Sequence, residues 1–242
     1  MANKRWLVWC LLLVLLVAAA IGLWPLWQRG LQQGARMPKN TTAQEIRGQV
    51  PKPQRIVSLN LCIDQMLLLL VEPSRIAALS RLAKDSHLSV LADQARMLPQ
   101  TMGSAEEVLA LQPDLVLVGS FTTQHTTDML RHFGIPIAVI PLADGWDKSI
   151  EQLELIARFT GDTDKAQQLV QHMRARAALM QQEHPVTEQS PVAALYGANG
   201  YTAGTHTLFN DLLALSGWRN AAAMAGQKGY GSLPLEQLVA LR

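Results

Sequence analysis

The sequence has few cysteines, few aromatic residues and little net charge. Its 242 residues include 2 Cys, and phenylalanine, tryptophan and tyrosine together make up 5% of the chain. The formal net charge is +2, from 21 Lys+Arg against 19 Asp+Glu, which gives little support to a nucleic-acid partner held by bulk electrostatics. With 49% hydrophobic residues, 16 Gly and 12 Pro, the composition is that of a folded globular protein and excludes a low-complexity chain.

Acidic residues are absent from the start of the chain, where none precedes Glu45. Lys4 and Arg5 are followed by an uncharged, leucine-rich run at 6–27, roughly the 20 residues that a bilayer-spanning helix needs. This N-terminal hydrophobic helix is predicted to be an export signal or a membrane anchor. The three alanines at 18–20 favour a cleavable signal, whereas the full length of the run favours an anchor.

Both alternatives place the rest of the chain outside the cytoplasm, because the basic end stays inside. The predicted location is therefore the periplasm, or the inner membrane with the body facing the periplasm. Residues 28–54 combine glycine and proline with no hydrophobic period and are predicted to be a tether. Beyond the hydrophobic run only Cys62 remains, so no intrachain disulfide can form there.

From Arg55 onward, short apolar runs alternate with amphipathic stretches, a pattern typical of an α/β fold. We predict an N-terminal α/β lobe over 55–146, a helical linker over 147–186 and a C-terminal α/β lobe over 187–242. Strands are predicted at 55–59, 76–80, 115–118, 137–140 and 192–196, and helices at 63–70, 104–111, 123–133 and 207–216. In the linker, a helix of about 20 residues follows a break at 160–162.

An internal repeat indicates that the two lobes share one plan. The segment 103–111 recurs, with two extra residues, at 231–241, so that Glu106 matches Glu236. After the first copy the chain continues through a strand, a helix and another strand, whereas after the second it stops. We therefore expect an incomplete second lobe, with a naturally short lobe as the alternative. In the first copy, Ser104 and Glu107 are predicted to form a capping box, each side chain accepting a hydrogen bond from the other's backbone N–H.

Ligands of open α/β sheets bind beyond the carboxyl ends of the strands, and this rule selects the candidate site residues. Aromatic members of the set are candidate ligand walls, with core packing as the alternative reading, and Tyr230 is a further aromatic of this kind. The two basic members can meet an anionic ligand, or are solvated surface charges. The cysteine packs at a helix start, or is a reactive thiol. The candidates are Asn60, Leu61, Cys62, Arg81, Lys84, Ser120, Phe121, Thr122, Trp146, Tyr196 and Tyr201.

Competing chemistries find little support in the motifs. The six histidines form no HxH, HxxxH or HExxH pair, which argues against a bare-metal site. Ser120 follows a predicted strand, but the run 118–122 lacks the second glycine of the GxSxG motif of hydrolases. The glycines of 197–204 do not have the spacing of a nucleotide-binding loop. No catalytic residues are assigned, and a membrane-anchored α/β enzyme of hydrolase or redox type stays as the alternative.

Several short runs carry a resemblance that covers 55–242. They are Arg55-Ile-Val-Ser-Leu-Asn60, Leu109-Ala-Leu-Gln-Pro-Asp-Leu-Val-Leu117, Gly134-Ile-Pro136 and Gly204-Thr-His-Thr-Leu-Phe-Asn-Asp-Leu-Leu213, with Gly217 and Asn220. Together they resemble the periplasmic substrate-binding proteins of ABC importers for ferric siderophores, haem and vitamin B12.

This resemblance implies two α/β lobes joined by one long rigid helix, with the ligand bound between the lobes. It implies a monomeric binding protein without a resident cofactor, whose ligand is an iron chelate, haem or a cobalamin. Its partner would be the ABC permease dimer of the inner membrane, and Glu106 and Glu236 match the family's glutamates that dock against permease arginines. Helix capping alone is the alternative role of these two glutamates.

Overall fold

The computed structural model describes residues 52–122 and 124–240. The predicted signal or anchor at 6–27 and nearly all of the predicted tether lie outside these residues. Among the residues described, no helix is both long enough and apolar enough to cross a bilayer.

Five parallel strands form the larger sheet of the described chain. They are β1 (Ile56–Ser58), β2 (Ile76–Ser80), β3 (Gln100–Thr101), β4 (Leu115–Gly119) and β5 (Ile137–Ile140). Their order in the sheet is β3-β2-β1-β4-β5, and every neighbouring pair is parallel. Strands β2 and β3 therefore lie on one side of β1, and β4 and β5 lie on the other side. The strand order reverses between β1 and β4.

Helices cover both faces of this sheet, as the mixed α/β fold requires. They are α1 (Leu61–Leu70), α2 (Ala92–Ala95), α3 (Ala105–Ala110), α4 (Gln124–His132), α5 (Trp146–Thr160) and α6 (Thr163–Glu183). Successive strand residues point to opposite faces: Ile56 and Leu117 pack with α1 and α5, whereas Val57 and Val116 pack with α3 and α4. Burial on both faces explains why these strands are apolar runs in the sequence.

The predicted break in the helical linker is confirmed at Gly161. This residue has a φ of 75°, in the left-handed region that glycine adopts without strain, and it ends α5. The following helix, α6, has 21 residues, close to the predicted length. Ala166 and Val170 in its first half join the core that α5 forms with the sheet. Its second half leads toward the C-terminal part of the chain.

An ion pair fastens the α5–α6 joint to the start of β2. The guanidinium of Arg75 donates to both carboxylate oxygens of Asp162, at 3.0 and 2.8 Å, and to the carbonyls of Pro53 and Thr160. Both side chains of the pair are nearly buried. Burial by itself raises the pKa of Asp162, but the hydrogen bonds from Arg75, Thr160 and Lys52 together hold this pKa below its ordinary value.

The C-terminal part contains two small sheets and three helices. Its elements are β6 (Val192–Ala193), β7 (Tyr201–Ala203), α7 (Leu208–Leu215), β8 (Arg219–Asn220), α8 (Ala221–Met224), β9 (Tyr230–Ser232) and α9 (Leu235–Ala240). Strand β6 pairs with β8 in parallel, and β7 pairs with β9 antiparallel. The predicted strand over 192–196 is wrong beyond Ala193. The carbonyl of Leu195 accepts a hydrogen bond from the Thr202 hydroxyl at 2.8 Å, outside any strand ladder.

The predicted capping box at α3 is half right. The Ser104 hydroxyl accepts from the Glu107 N–H at 3.2 Å, as predicted. The Glu107 carboxylate, however, accepts from the Thr101 hydroxyl and the Met102 N–H, both at 2.7 Å, and not from Ser104. Gly103, with a φ of 86°, turns the chain between Met102 and Ser104. The Glu107 carboxylate therefore accepts from the Met102 N–H, which precedes this turn.

Candidate functional site

A cavity of about 350 Å³ lies where the strand order of the large sheet reverses. The carboxyl ends of β1, β4 and β5 contribute Asn60, Gly119 and Ile140 to its lining. Leu208, the first residue of α7, contributes from the C-terminal part of the chain. Reversal points of this kind leave a crevice outside the sheet, which is where open α/β folds bind ligands.

Asn60 connects β1 to α1 at the edge of the cavity. Its side-chain oxygen accepts from the backbone N–H of Cys62 at 3.0 Å and of Ile63 at 3.3 Å, so it caps the helix. A Cβ atom at Gly119 would lie 2.8 Å from the Asn60 side-chain nitrogen. The glycine at the end of β4 therefore leaves the space that this amide occupies.

One face of α1 forms a wall of the cavity. Cys62, Gln65, Met66 and Leu69 line it, at the i, i+3, i+4 and i+7 spacing of a single helix face. The sequence argument selected only Cys62 from this wall. The other three residues follow from Cys62 by helical spacing, a signal that the sequence contained.

The opposite wall is formed by the end of β5 and the start of α5. Gln152 donates from its side-chain amide to the Pro141 carbonyl at 2.5 Å, which fixes this glutamine against the wall. Asp211, on α7, accepts from the backbone N–H of Trp146 at 2.9 Å and so caps α5 from the C-terminal part. This contact holds α7 beside the cavity that Leu208 lines.

Four of the predicted ligand residues meet at this cavity: Asn60, Cys62, Ser120 and Phe121. Phe121 is 85% exposed, so its ring is available to a ligand rather than committed to the core. Thr122 does not line the cavity, but its hydroxyl accepts from the Gly119 N–H at 3.1 Å and shapes the same loop. Leu61 begins α1, half-buried, beside the wall.

The structure does not bring the remaining predicted ligand residues to this cavity. Arg81 and Lys84 are exposed on a 3-10 turn after β2. Trp146 packs against the core and lines a separate groove of about 450 Å³ beside α6 and α7. Tyr196 and Tyr201 are exposed in the C-terminal part, where the Tyr201 and Tyr230 rings stack with centroids 6.0 Å apart and planes 5° apart. Their roles in ligand binding stay predictions.

The two repeat glutamates occupy matching places. Glu106 is the second residue of α3 and Glu236 the second residue of α9, and both are exposed. The Glu106 carboxylate has its pKa lowered by hydrogen bonds from its own backbone N–H and from Ser104. Because both side chains are exposed, they are accessible to a partner protein. Their contact with a permease stays a prediction.

A buried carboxyl lies beneath the cavity wall, on the inner side of α1. Asp64 is fully buried and accepts from the Ser80 hydroxyl at 2.5 Å and from the Ser80 N–H at 3.3 Å. Burial raises its pKa to about 6, and the hydrogen bonds from Ser58 and Ser80 only partly oppose this rise. In the sequence, this carboxyl is marked only by its place in the first turn of a helix.

Asp64→Asn is expected to stabilise the protein above pH 6, by up to about 3 kcal/mol. Because the folded pKa lies above the unfolded one, the stability that this group contributes is present below the ordinary value of 3.8 and is lost as the pH rises through 6. The asparagine stays neutral at every pH and can still pair with Ser80. Melting temperatures from pH 4 to 8 should diverge with rising pH, and parallel curves would contradict the buried, shifted carboxyl.

Comparison with known proteins identifies the family. The family model described as a periplasmic binding protein matches residues 56–242. The chain belongs to the periplasmic binding protein family. This match confirms the resemblance inferred from the sequence motifs, and it favours a binding protein over the anchored α/β enzyme of the alternative. Within 52–122 and 124–240, no group of three or more His, Cys, Asp or Glu side chains is placed to hold a metal ion.

Individual relatives of this periplasmic binding protein are distant. A cobalamin-binding protein from Halobacterium salinarum is 28% identical over 177 residues, which are 71% of this chain and 47% of that protein. The chain thus spans about half the length of the curated relatives it matches. The haem-binding protein RhuT from Roseiflexus has a TM-score of 0.64 at 24% identity, covering 78% of this chain and 73% of its own. The vitamin B12-binding protein BtuF from Vibrio cholerae has a TM-score of 0.57 at 16% identity, covering 78% and 74%.

Proposed function

We propose that the protein is the extracytoplasmic solute-binding component of an ABC importer. It captures a metal chelate of the ferric siderophore, haem or cobalamin type and delivers it to a permease dimer in the inner membrane. The observation that carries the proposal is the cavity between Asn60, Gly119 and Leu208, at the reversal point of the sheet. Its volume of about 350 Å³ lies within the range of small-molecule sites.

The names of the relatives support this ligand class. The Halobacterium relative and BtuF are named for cobalamin or vitamin B12, and RhuT is named for haem. A Bacillus subtilis relative, 25% identical over 146 residues, is named an ABC transporter substrate-binding lipoprotein. Three of these names state a cobalamin, vitamin B12 or haem ligand, and the fourth states a substrate-binding role in an ABC transporter.

The predicted organisation fits the same task. The lobe at 55–146 supplies the sheet and most of the cavity, and the linker at 147–186 contains α6, which leads to the lobe at 187–242 with α7. The hydrophobic run at 6–27 would export the protein or anchor it to the inner membrane, with the body in the periplasm. Glu106 and Glu236 would each face one subunit of the permease dimer.

Ser120→Trp is expected to weaken binding of the cognate chelate at least about tenfold, because the indole occupies part of the cavity that the chelate needs. Ser120 is exposed at the end of β4, so the larger side chain can be accommodated without disturbing the core. The measurement is isothermal titration of the purified chain with cyanocobalamin, haem, a ferric trihydroxamate and a ferric tris-catecholate.

Gln94→Trp is the matched control, since it places the same indole on the exposed surface of the short helix α2. This variant should bind as the unaltered protein does. If Ser120→Trp binds its chelate with unchanged affinity, the ligand lies elsewhere. If none of the chelates binds the unaltered chain, the proposed function is wrong.

A further inference from the structure

The polar groups that line the cavity are all uncharged. They comprise the amides of Asn60, Gln65 and Gln152 and the hydroxyls of Ser120 and Ser149. The rest of the lining is aliphatic, aromatic or glycine, with one thiol. Among the described residues, no Asp, Glu, Lys or Arg side chain reaches the cavity surface.

The charged residues next to the lining in sequence do not themselves line the cavity: Asp144 is exposed beside Ala143, and Lys148 pairs with Glu151 at 2.8 Å. Asp64 accepts hydrogen bonds from Ser80 on the inner side of α1. Asp211 accepts from the Trp146 N–H as a helix cap. Arg81 and Lys84, the two cations that could have met an anion, are exposed on the turn after β2 and do not line the cavity.

Two further segments of the chain also lack these charged residues. No Asp, Glu, Lys or Arg occurs over 119–127, from the end of β4 into the first turn of α4, or in the stretch 197–206 of the C-terminal part. The chain has 40 charged residues of these types, 21 basic and 19 acidic, and both segments lack them. The lack of charge therefore extends beyond the lining into the β4–α4 connection, whereas the connection after β5 carries Asp144, which does not line the cavity.

We propose that this cavity selects uncharged metal chelates with amide or hydroxamate groups at their edge, and discriminates against anionic chelates. This inference rests on the proposed function and narrows its ligand class. A carboxylate or catecholate moved from water into the cavity would lose its hydration and find no cation to replace it. An uncharged amide loses less and can pair with the neutral donors and acceptors present.

Two side chains are suited to such pairing. The oxygen of Asn60 is engaged in capping α1, so its side-chain nitrogen is the group left to donate to a ligand carbonyl. Gln65 projects from the α1 wall and offers both a donor and an acceptor. Together they match the two ends of an amide at the edge of a chelate.

The first experiment compares ligands that differ in charge. Cyanocobalamin is titrated against its monocarboxylic acid, and a neutral ferric trihydroxamate against haem and a ferric tris-catecholate, using the full chain. We expect the uncharged member of each comparison to bind at least about tenfold more tightly. Equal or tighter binding of the anionic members overturns the inference while leaving the proposed function in place. Failure of all five ligands to bind overturns both.

The second experiment reverses the selectivity. Gln65→Lys places a cation on the cavity wall and should raise the affinity for the anionic chelates about tenfold relative to the uncharged ones. Gln65→Met preserves the length without the charge, and Gln182→Lys adds the same charge on an exposed position of α6. Both controls should leave anionic chelates disfavoured. A Gln65→Lys variant with an unchanged affinity ratio contradicts the inference.

Discussion

Replacing Arg75 with alanine is expected to lower the free energy of unfolding by about 3 kcal/mol, because it leaves the nearly buried carboxylate of Asp162 with only the exposed Lys52, at 3.2 Å, as an ion-pair partner. The side chains of the Arg75–Asp162 pair are only 9% and 11% exposed. The same change removes the donor to the carbonyls of Pro53 and Thr160. Chemical denaturation with urea, followed by circular dichroism, measures the loss.

Arg131→Ala is the matched control, since Arg131 pairs with Asp128 at 3.0 Å on the exposed surface of α4. Exposed pairs contribute about 0–1 kcal/mol, so this variant should unfold close to the unaltered protein. Equal losses of unfolding free energy in the two variants would show that the Arg75–Asp162 pair stabilises the protein no more than an exposed pair does.

The Arg75 pair should also weaken in acid. Because the pKa of Asp162 is lowered in the folded protein, its contribution is present above the ordinary value of 3.8 and is lost as the pH falls through the lower folded value. The difference in stability between the unaltered chain and Arg75→Ala should therefore shrink below pH 3.8. A constant difference down to low pH would mean that packing, rather than charge, accounts for the loss.

Most of the main sheet could be predicted because its central strands, β1 and β4, are buried on both faces. Each of β1, β2, β4 and β5 is a continuous apolar run, and the predicted positions agree with the structure to within one residue or so. Strand β3 was missed, since Gln100 and Thr101 are polar and only their pairing with β2 makes them a strand. The break at Gly161 was visible because a glycine there suits a left-handed helix end.

The site could be predicted only where it coincides with strand ends. Asn60 and Ser120 follow β1 and β4 directly, and the rule on carboxyl ends is enough to select them. Gln65 follows from the predicted Cys62 by helical spacing, whereas Gln152 lines the cavity because of how α5 is rotated on the sheet, which the sequence does not specify by itself. Arg81 also follows a strand, yet β2 lies one strand away from the reversal point, and its turn does not line the cavity.

The double variant Glu106→Gln/Glu236→Gln is expected to leave chelate affinity unchanged and to abolish transport. Both carboxylates are exposed, both are second residues of helices that the repeat relates, and neither lines the cavity. Two equivalent carboxylates suit a permease dimer whose subunits present matching arginines. Contacts of this charge-assisted kind orient a docking protein and raise its on-rate.

The measurements for this variant separate binding from delivery. Titration calorimetry reports chelate affinity, while co-purification with the permease in nanodiscs and uptake of labelled chelate report docking and transport. Glu183→Gln/Glu188→Gln removes the same charge from other exposed positions and should transport normally, because these residues belong to no repeated helix start. Since glutamine keeps a similar side-chain length at the first helical turn, the expected loss of docking reflects the lost charges rather than unfolding, which the melting temperature checks. Normal docking and uptake by Glu106→Gln/Glu236→Gln would show that the two glutamates act only as favourable charges at helix starts.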